Sequence, residues 1–423
     1  MLRSTFFCLQ LLWLLPLQAF QVDEVDIHGS LSQSYLKTHG HEFLIPGSQD
    51  GALDYTELTL NAHKQFDRWN IGVQGLSRDF GREGDFELRL DWGHVEYNAL
   101  DALSLRFGRV KLPFGLYAEY RDVDMARTEI FLPQTFLPED YRGGAVAYDG
   151  LGVAGDIALG ETQLLQYHLF WGTNSIKDDF FLNFLTQDIY ESSTAIAAGA
   201  LFPGSSAFPG LSQDQAVLDT KSLRGGQVVW TYEPWLWRLG YNFLHYIGHF
   251  PLMAYDLKNF GGVGTPSVVL DERGLELDIM WHILSTDLVL GEWFLRAETM
   301  LRYNDYTQGD LFMDRFAGPG GVTSNLANGD ELWSWYFSAQ RQIFDNTGIY
   351  ARFGKSMMTK ETPRAASTNQ LSELSVGVRY DFNQHVLGKL QAFHYWDYRG
   401  ALDQATNQDK SWGMLLARVT VHF

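Results

Sequence analysis

Cysteine is almost missing from this chain of 423 residues: Cys8 is the only one. That excludes a disulfide framework and a zinc–thiolate cluster, and it leaves no thiol nucleophile beyond the first segment. Long apolar runs are missing as well. After the opening segment no stretch reaches the roughly 18 consecutive apolar residues that a spanning helix needs. Basic residues are scarce, 32 against 51 acidic ones for a formal net charge of −19, which argues against a nucleic-acid partner. Aromatics and glycine are plentiful, with 29 Phe, 20 Tyr, 13 Trp and 41 Gly. The apolar residues are spread through short alternating segments.

The opening segment reads as an export signal over residues 1–19, followed by a single domain over 20–423. Met1, Leu2 and Arg3 make a short positive start, and Phe6 to Leu17 form an apolar stretch too short to cross a bilayer as a helix. Ala19 is the expected last residue before cleavage. Cys8 lies inside this stretch without the small residues that precede a lipidated cysteine.

Beyond it, polarity alternates with period two, as strands with one apolar and one wet face require. Strands are expected near 25–36, 54–63, 69–79, 86–97, 102–110, 149–158, 163–171, 223–231, 236–246, 271–281, 287–303, 331–341, 347–356, 371–381, 388–398 and 411–422, sixteen in all. Short connections at 64–68, 98–101, 159–162, 232–235, 282–286, 342–346 and 382–387 alternate with longer ones. The longer ones are 37–53, 80–85, 111–148, 172–222, 247–270, 304–330, 357–370 and 399–410. That rhythm predicts an all-β, transmembrane, antiparallel up-and-down barrel of 16 strands. If Gly143–Tyr148 forms an extra strand, 18 is the alternative. An open sheet of this size would expose unpaired backbone to lipid, so the sheet must close, and side chains cannot fill a cylinder this wide. Phase slips near Gly93 and Gly291 read as β-bulges. Trp69, Tyr97, Trp171, Trp235, Trp237, Trp281, Trp333, Trp335, Trp396 and Trp412 lie near strand ends and are expected to form two interfacial girdles.

The last strand puts Leu415, Ala417, Val419, Val421 and Phe423 on one face and Arg418, Thr420 and His422 on the other. A terminal Phe after such a strand resembles the carboxy-terminal signature of outer-membrane porins. The run Gly108 to Tyr117, followed by Arg121-Asp122-Val123 and Ala126-Arg127, resembles the third-loop region of Gram-negative general porins related to the phosphate-selective porins. The resemblance implies a homotrimer in the outer membrane, contact with lipid and lipopolysaccharide, and recognition of Phe423 by the barrel-insertion machinery. It also implies that the 111–148 connection folds into the lumen and narrows a passive channel for small hydrophilic solutes. Arg106, Arg109, Lys111, Arg121 and Arg127 would then be one side of a constriction, with Glu119, Asp122, Asp124 and Glu129 opposite. A transverse field between such rows orients dipolar solutes. The bland reading of the same charges is that they pair and pin the loop. Arg89, Arg296, Arg302, Arg352, Arg379 and Arg418 are expected on the lumen wall, with Glu87, Glu276, Asp278 and Glu298. These arginines suggest a mild anion preference, although much of the acidic excess falls in loops, as at Asp178, Asp179, Asp188, Glu191, Asp214 and Asp219. The phosphate-selective relatives rely on constriction lysines, of which Lys111 alone is present.

Signals for chemistry are weak. Gly150-Leu-Gly152-Val-Ala-Gly155 has the letters of a dinucleotide fingerprint but is followed by strand and turn rather than a helix. There is no Gly-x-Ser-x-Gly elbow and no His-Glu-x-x-His pair. His39 with His41, and His245 with His249, read as exposed polar residues rather than metal ligands. Asp178-Asp179 and Asp122-x-Asp124 are weak calcium candidates. No catalytic residue, metal or cofactor is expected. The rival readings are a surface receptor or adhesin anchored by the barrel, and an outer-membrane enzyme. The 172–222 connection, rich in small residues, is suited to covering the pore mouth or holding a neighbouring subunit.

Overall fold

In the computed structural model, side-by-side pairing of strands runs without interruption until the last strand meets the first of the ring. Residues 20–22, 24–40, 43–81, 86–100, 102–117, 120–121, 123–139, 146–174, 219–256, 267–308, 330–360, 370–396 and 411–423 are described. The export signal and Cys8, His41, Glu119, Asp122, the loop acids from Asp178 to Asp214 and the centre of the 172–222 connection lie outside them.

A three-residue strand, β1 (Phe20–Val22), folds back on the start of the ring. The ring consists of β2 (Val25–His39), β3 (Ala52–Phe66), β4 (Trp69–Phe80), β5 (Leu88–Leu100), β6 (Leu103–Lys111), β7 (Ala147–Ala158), β8 (Gln163–Thr173) and β9 (Asp219–Tyr232). It continues through β10 (Trp237–Asp256), β11 (Ser267–Leu290), β12 (Trp293–Gln308), β13 (Asp330–Phe344), β14 (Thr347–Lys360), β15 (Gln370–Asp381), β16 (Val386–Trp396) and β17 (Ser411–His422). Each pairs antiparallel with the next, and β17 pairs with β2, Arg418 opposite Ser34 and Val421 opposite Leu31. Sixteen strands therefore close into an up-and-down barrel. Beyond the seam, the Phe423 amide donates to the Gly29 carbonyl at 3.0 Å, and the Gly29 amide donates back at 3.1 Å.

Alternation sets the two faces. On β13 the exposed Trp333 and Phe337 flank fully buried Ser334 and Ser338. The outward set includes Phe107 at 66% and Trp171 at 65% exposure, alongside Leu58, Leu60, Ile71, Val73, Leu151, Val376 and Val419. Leaving this many large apolar side chains in water would cost roughly 1.5–3 kcal/mol each, so the band belongs in lipid. Aromatics cluster at one rim: Trp69 meets Tyr97 at 4.7 Å, and Trp230 packs edge-on against Trp237 at 5.5 Å. Two expected girdle members are elsewhere. Trp412 is buried at 2% exposure, stacked on Tyr395 at 4.3 Å, and Trp281 packs edge-on against Phe114 at 6.4 Å. Both sit at strand positions whose parity points them inward.

The two phase slips have different causes. Near Gly93 the ladder shifts between Gln74 and Gly75, so that Asp91 is the extra residue and a bulge is present. Near Gly291 there is no bulge. β11 runs on to Leu290, the chain turns at Gly291 (φ +61°) and Glu292, and the expected connection at 282–286 is strand. Gly150, Gly152 and Gly155 all lie within β7, with no helix behind them.

Gly108, Gly150 and Gly172 stand directly opposite one another on β6, β7 and β8. A Cβ on Gly150 would come within 2.6 Å of the Gly172 Cα, which is backbone and cannot swing aside. Gly150→Val is expected to destabilise the barrel by about 1–3 kcal/mol through overpacking. The check is the urea midpoint of refolded protein in detergent, which should fall; an unchanged midpoint would contradict this packing.

Candidate functional site

Residues 112–146 connect β6 to β7, and their described part is packed rather than solvated. Ile130, Phe131 and Leu132 are completely buried, and Leu112, Phe114, Leu116, Tyr117, Phe136 and Leu137 nearly so. They enter two clusters. Leu112, Phe114, Tyr117, Leu132 and Phe136 pack with Phe170, Leu244, Ile283, Met300 and Tyr336 of the wall. Ile130 and Phe131 pack with Leu36, Tyr55, Phe80, Phe393 and Leu416.

The backbone of the connection is hydrogen-bonded to wall side chains of the polar face, strand after strand. Asn242 Nδ2 donates to the Pro113 carbonyl (3.1 Å) and Gln227 Nε2 to the Gly115 carbonyl (3.0 Å). Glu298 accepts the Leu116 amide at 2.6 Å, and it also takes the hydroxyls of Ser285 and Tyr336. Gln391 Oε1 accepts two consecutive amides, Ile130 at 2.8 Å and Phe131 at 2.9 Å. Glu373 accepts the Gln134 amide at 2.9 Å. Gly115 has φ +69°, and a Cβ there would stand 2.5 Å from Glu298 Oε1, so glycine is what lets the chain approach that carboxylate.

The charged residues read from the sequence divide into three groups. Asp124, Arg127 and Glu129 belong to the connection and are buried. Asp124 faces Lys389 at 2.9 Å, Arg418 at 3.3 Å and Arg127 at 3.5 Å, and it accepts from Thr420 at 2.7 Å. Glu129 accepts from Tyr117 (2.6 Å) and Gln340 (3.1 Å), with Arg352 at 3.9 Å. Arg121 is buried too.

Wall arginines form the second group, and most are matched by carboxylates. Arg352 pairs with Glu373 at 2.8 Å and Arg296 with Asp287 at 2.8 Å. Arg418 pairs with Glu57 at 2.9 Å, Arg379 with Asp381 at 2.8 Å and the exposed Arg89 with Glu87 at 3.1 Å. Arg296 also lies 4.2 Å over the Tyr117 ring, tying wall to connection. Arg302 lies on β12, directly opposite Trp281 and Leu332. Glu276 pairs with Lys221 at 2.6 Å and Asp278 with His245 at 2.8 Å. Both stand at the parity of the exposed Met280 and Leu284, opposite to the inward Leu277 and Trp281, so they are not on the lumen wall.

The third group stands on β5–β7, away from the connection's anchors. Arg106 pairs with Glu96, and Lys111 sits 5.2 Å over the Trp92 ring. Arg109 pairs with Asp149 at 2.9 Å. By alternation these last two share the outward set of Phe107 and Leu151, so the structure does not bring Arg109 to the connection. Sequence reasoning missed Lys389, Glu373, Gln391, Asp287 and Glu57. The signal was there in part, since each is a polar residue at inward parity on a predicted strand.

Burial by itself would raise the Asp124 carboxyl, but Lys389, then Arg418 and Arg127, outweigh it and hold it well below the usual carboxylate range. Burial pushes the Tyr117 hydroxyl up, and the Glu129 charge adds to that.

No family model matches the chain, and no curated protein matches it in sequence. Solved structures do match its shape. OmpT of Vibrio cholerae, an outer membrane protein, aligns with a TM-score of 0.55 at 8% identity over 96% of this chain and 100% of that one. An anion-selective porin from Comamonas acidovorans aligns at 0.53 and 8% identity over 94% and 99%. Salmonella typhi OmpF, solved with daunomycin, aligns at 0.53 and 10% identity over 96% and 100%. At such identities the likeness concerns the fold. Together with the apolar outer band, it shows a β-barrel suited to a lipid bilayer, with a general porin-like fold.

A depressed carboxyl contributes stability above its unfolded value and loses it only as pH falls through the lower folded value. Contacts of Asp124 should therefore survive acidification from pH 7 to pH 4, seen as unchanged protease resistance of the 112–146 connection. Arg352→Leu, which strands Glu373 and Glu129 without their buried cation, should cost about 3–5 kcal/mol. The readout is a lower melting temperature in detergent, and a melting temperature within error of the parent would count against the pairing.

Proposed function

We propose that the protein is a passive diffusion channel for small hydrophilic solutes, with the 112–146 connection lying inside the barrel and narrowing it. One contrast carries this reading. On β11 and β13–β16, beneath the connection, the inward Ser285, Ser334, Ser338, Arg352, Glu373, Ser375 and Gln391 are 0–1% exposed. On β3–β6, Asn61, Asn70, His94, Glu96, Ser104 and Arg106 are partly exposed on the same inner face, while Glu57, Gln74 and Asp91 of those strands are buried. The connection thus occupies one side of the interior and leaves a polar, water-accessible passage along the other. Size and the polarity of that passage decide what crosses, and no residue is asked to do chemistry.

The mild anion preference expected from the wall arginines loses its support in this reading. Their charges are consumed by Glu373, Asp287, Glu57 and Asp381. A weakly selective channel follows. The export signal over 1–19, docking of Phe423 by the insertion machinery and a homotrimer embedded in lipid and lipopolysaccharide belong to the same proposal. A related solved form of Vibrio cholerae OmpT is described as a trimer.

Purified protein in planar bilayers should give stepwise openings, with a reversal potential near zero in a potassium chloride gradient. Silence would remove the channel reading in favour of a receptor or an enzyme. A strong reversal potential of either sign would remove the charge-balanced passage alone.

A further inference from the structure

Three cations stand side by side on the inner wall. Arg379 of β15 is directly opposite Lys389 of β16, and Lys389 is directly opposite Arg418 of β17. Like charges in that relation destabilise a sheet unless each is compensated. Each has its own carboxylate: Asp381 for Arg379 at 2.8 Å, Glu57 for Arg418 at 2.9 Å and Asp124 for Lys389 at 2.9 Å. The first two partners belong to the wall, on β15 and β3. The third comes from the connection.

Lys389 is committed to that connection completely. An ammonium has three donors. Its contacts are Asp124 Oδ1 at 2.9 Å, the Asp124 carbonyl at 2.6 Å and the Glu129 carbonyl at 3.2 Å, all within six residues of one turn. Its side chain has no exposure to solvent. Arg379 adds two more donations to the same turn, to the carbonyls of Met125 and Arg127. The basic row therefore meets the carbonyl-bearing side of residues 124–129 as an anion site meets its ligand.

We propose that Lys389 is the positioning residue of the constriction. Its ammonium seats the 124–129 turn against the wall, and Asp124 cancels the one charge of the row that the wall leaves uncompensated. This rests on the channel reading only for its effect on ions; the seating itself is a matter of the fold. Removing the ammonium leaves two buried carbonyls short of a donor, so the turn lifts from the wall. Asp124 keeps Arg418 and Thr420, and the barrel, whose ladder does not involve the turn, stays closed. Removing the Asp124 charge instead leaves the turn partly seated and turns the row into a surplus positive charge facing the passage.

The test places a thiol within the turn by Thr128→Cys, in a Cys8→Ser background, and follows its labelling by a small methanethiosulfonate reagent in detergent-refolded protein. Labelling should be about tenfold faster with Lys389→Met, given the loss of hydrogen bonds to a charged group, and return to the parent rate with Lys389→Arg. In bilayers Asp124→Asn should move the reversal potential toward anions and Lys389→Met toward cations. Opposite signs report that the passage senses both charges; the seating itself is judged by the labelling and its rescue with Lys389→Arg. Equal labelling in Lys389→Met and the parent, with both barrels resistant to detergent denaturation, overturns the proposal. So does a shift of both reversal potentials in one direction. If the parent does not conduct, the channel reading fails and labelling still judges the seat. If Lys389→Met does not refold, Asp124→Asn replaces it, expected to label faster than the parent, and equal rates again overturn the proposal.

Discussion

A backbone amide or carbonyl left unpaired in hydrocarbon costs several kcal/mol, and no water is there to rescue it. That single constraint determines the architecture. Strands with an apolar outer face can enter lipid only if every ladder edge is paired, so β17 must find β2. The junction carries an unbroken ladder, from Gly413 opposite His39 to His422 opposite Ser30, and the terminal residue exchanges two further bonds with Gly29. Closure also explains the strict inward–outward parity, because a one-residue slip on any strand would drive its polar set into lipid.

Closing sixteen strands creates a second problem, an interior too wide for side chains to fill. Small residues on the wall turn that into an asset. Ser34, Ser285, Ser334, Ser338 and Ser375 keep the inner surface low where the described residues of the connection pack, while Trp333, Trp335 and Phe337 carry the bulk on the other face. The connection then supplies what the wall lacks there, with Ile130, Phe131, Leu132 and Phe136 as its packing. Its backbone groups, which water would otherwise satisfy, end on Gln391, Glu373, Glu298, Asn242 and Gln227. Buried polar groups matched in this way favour one arrangement over many.

Period-two alternation made the sixteen strands legible, since each needs only its own residues to be recognised. The turn at Gly291 was misplaced because β11 is 24 residues long and a stretch near its end, Ser285 to Asp287, looks like a polar connection. Those residues are polar for another reason: Ser285 and Asp287 face inward, bonded to Glu298 and to Arg238 and Arg296. Trp412 and Trp281 were misassigned because proximity to a strand end carries no information about facing. The charges were legible as types and not as pairs.

Pairing is set by register, and register is a property of two strands at once. Glu96 lies directly opposite Arg106, and Asp287 directly opposite both Arg238 and Arg296. Each match joins residues whose separation along the chain is fixed by turn lengths. A count of wall arginines therefore overstates the field that a solute meets, because a cation with a carboxylate beside it in a half-buried site acts as a dipole. Its influence falls off much faster than that of a free charge, and counter-ions in the wet part of the lumen shorten its range further. The electrostatics of such a wall are governed by the few residues whose partner lies outside the sheet, because only there can a movement of the chain change the net charge of the surface.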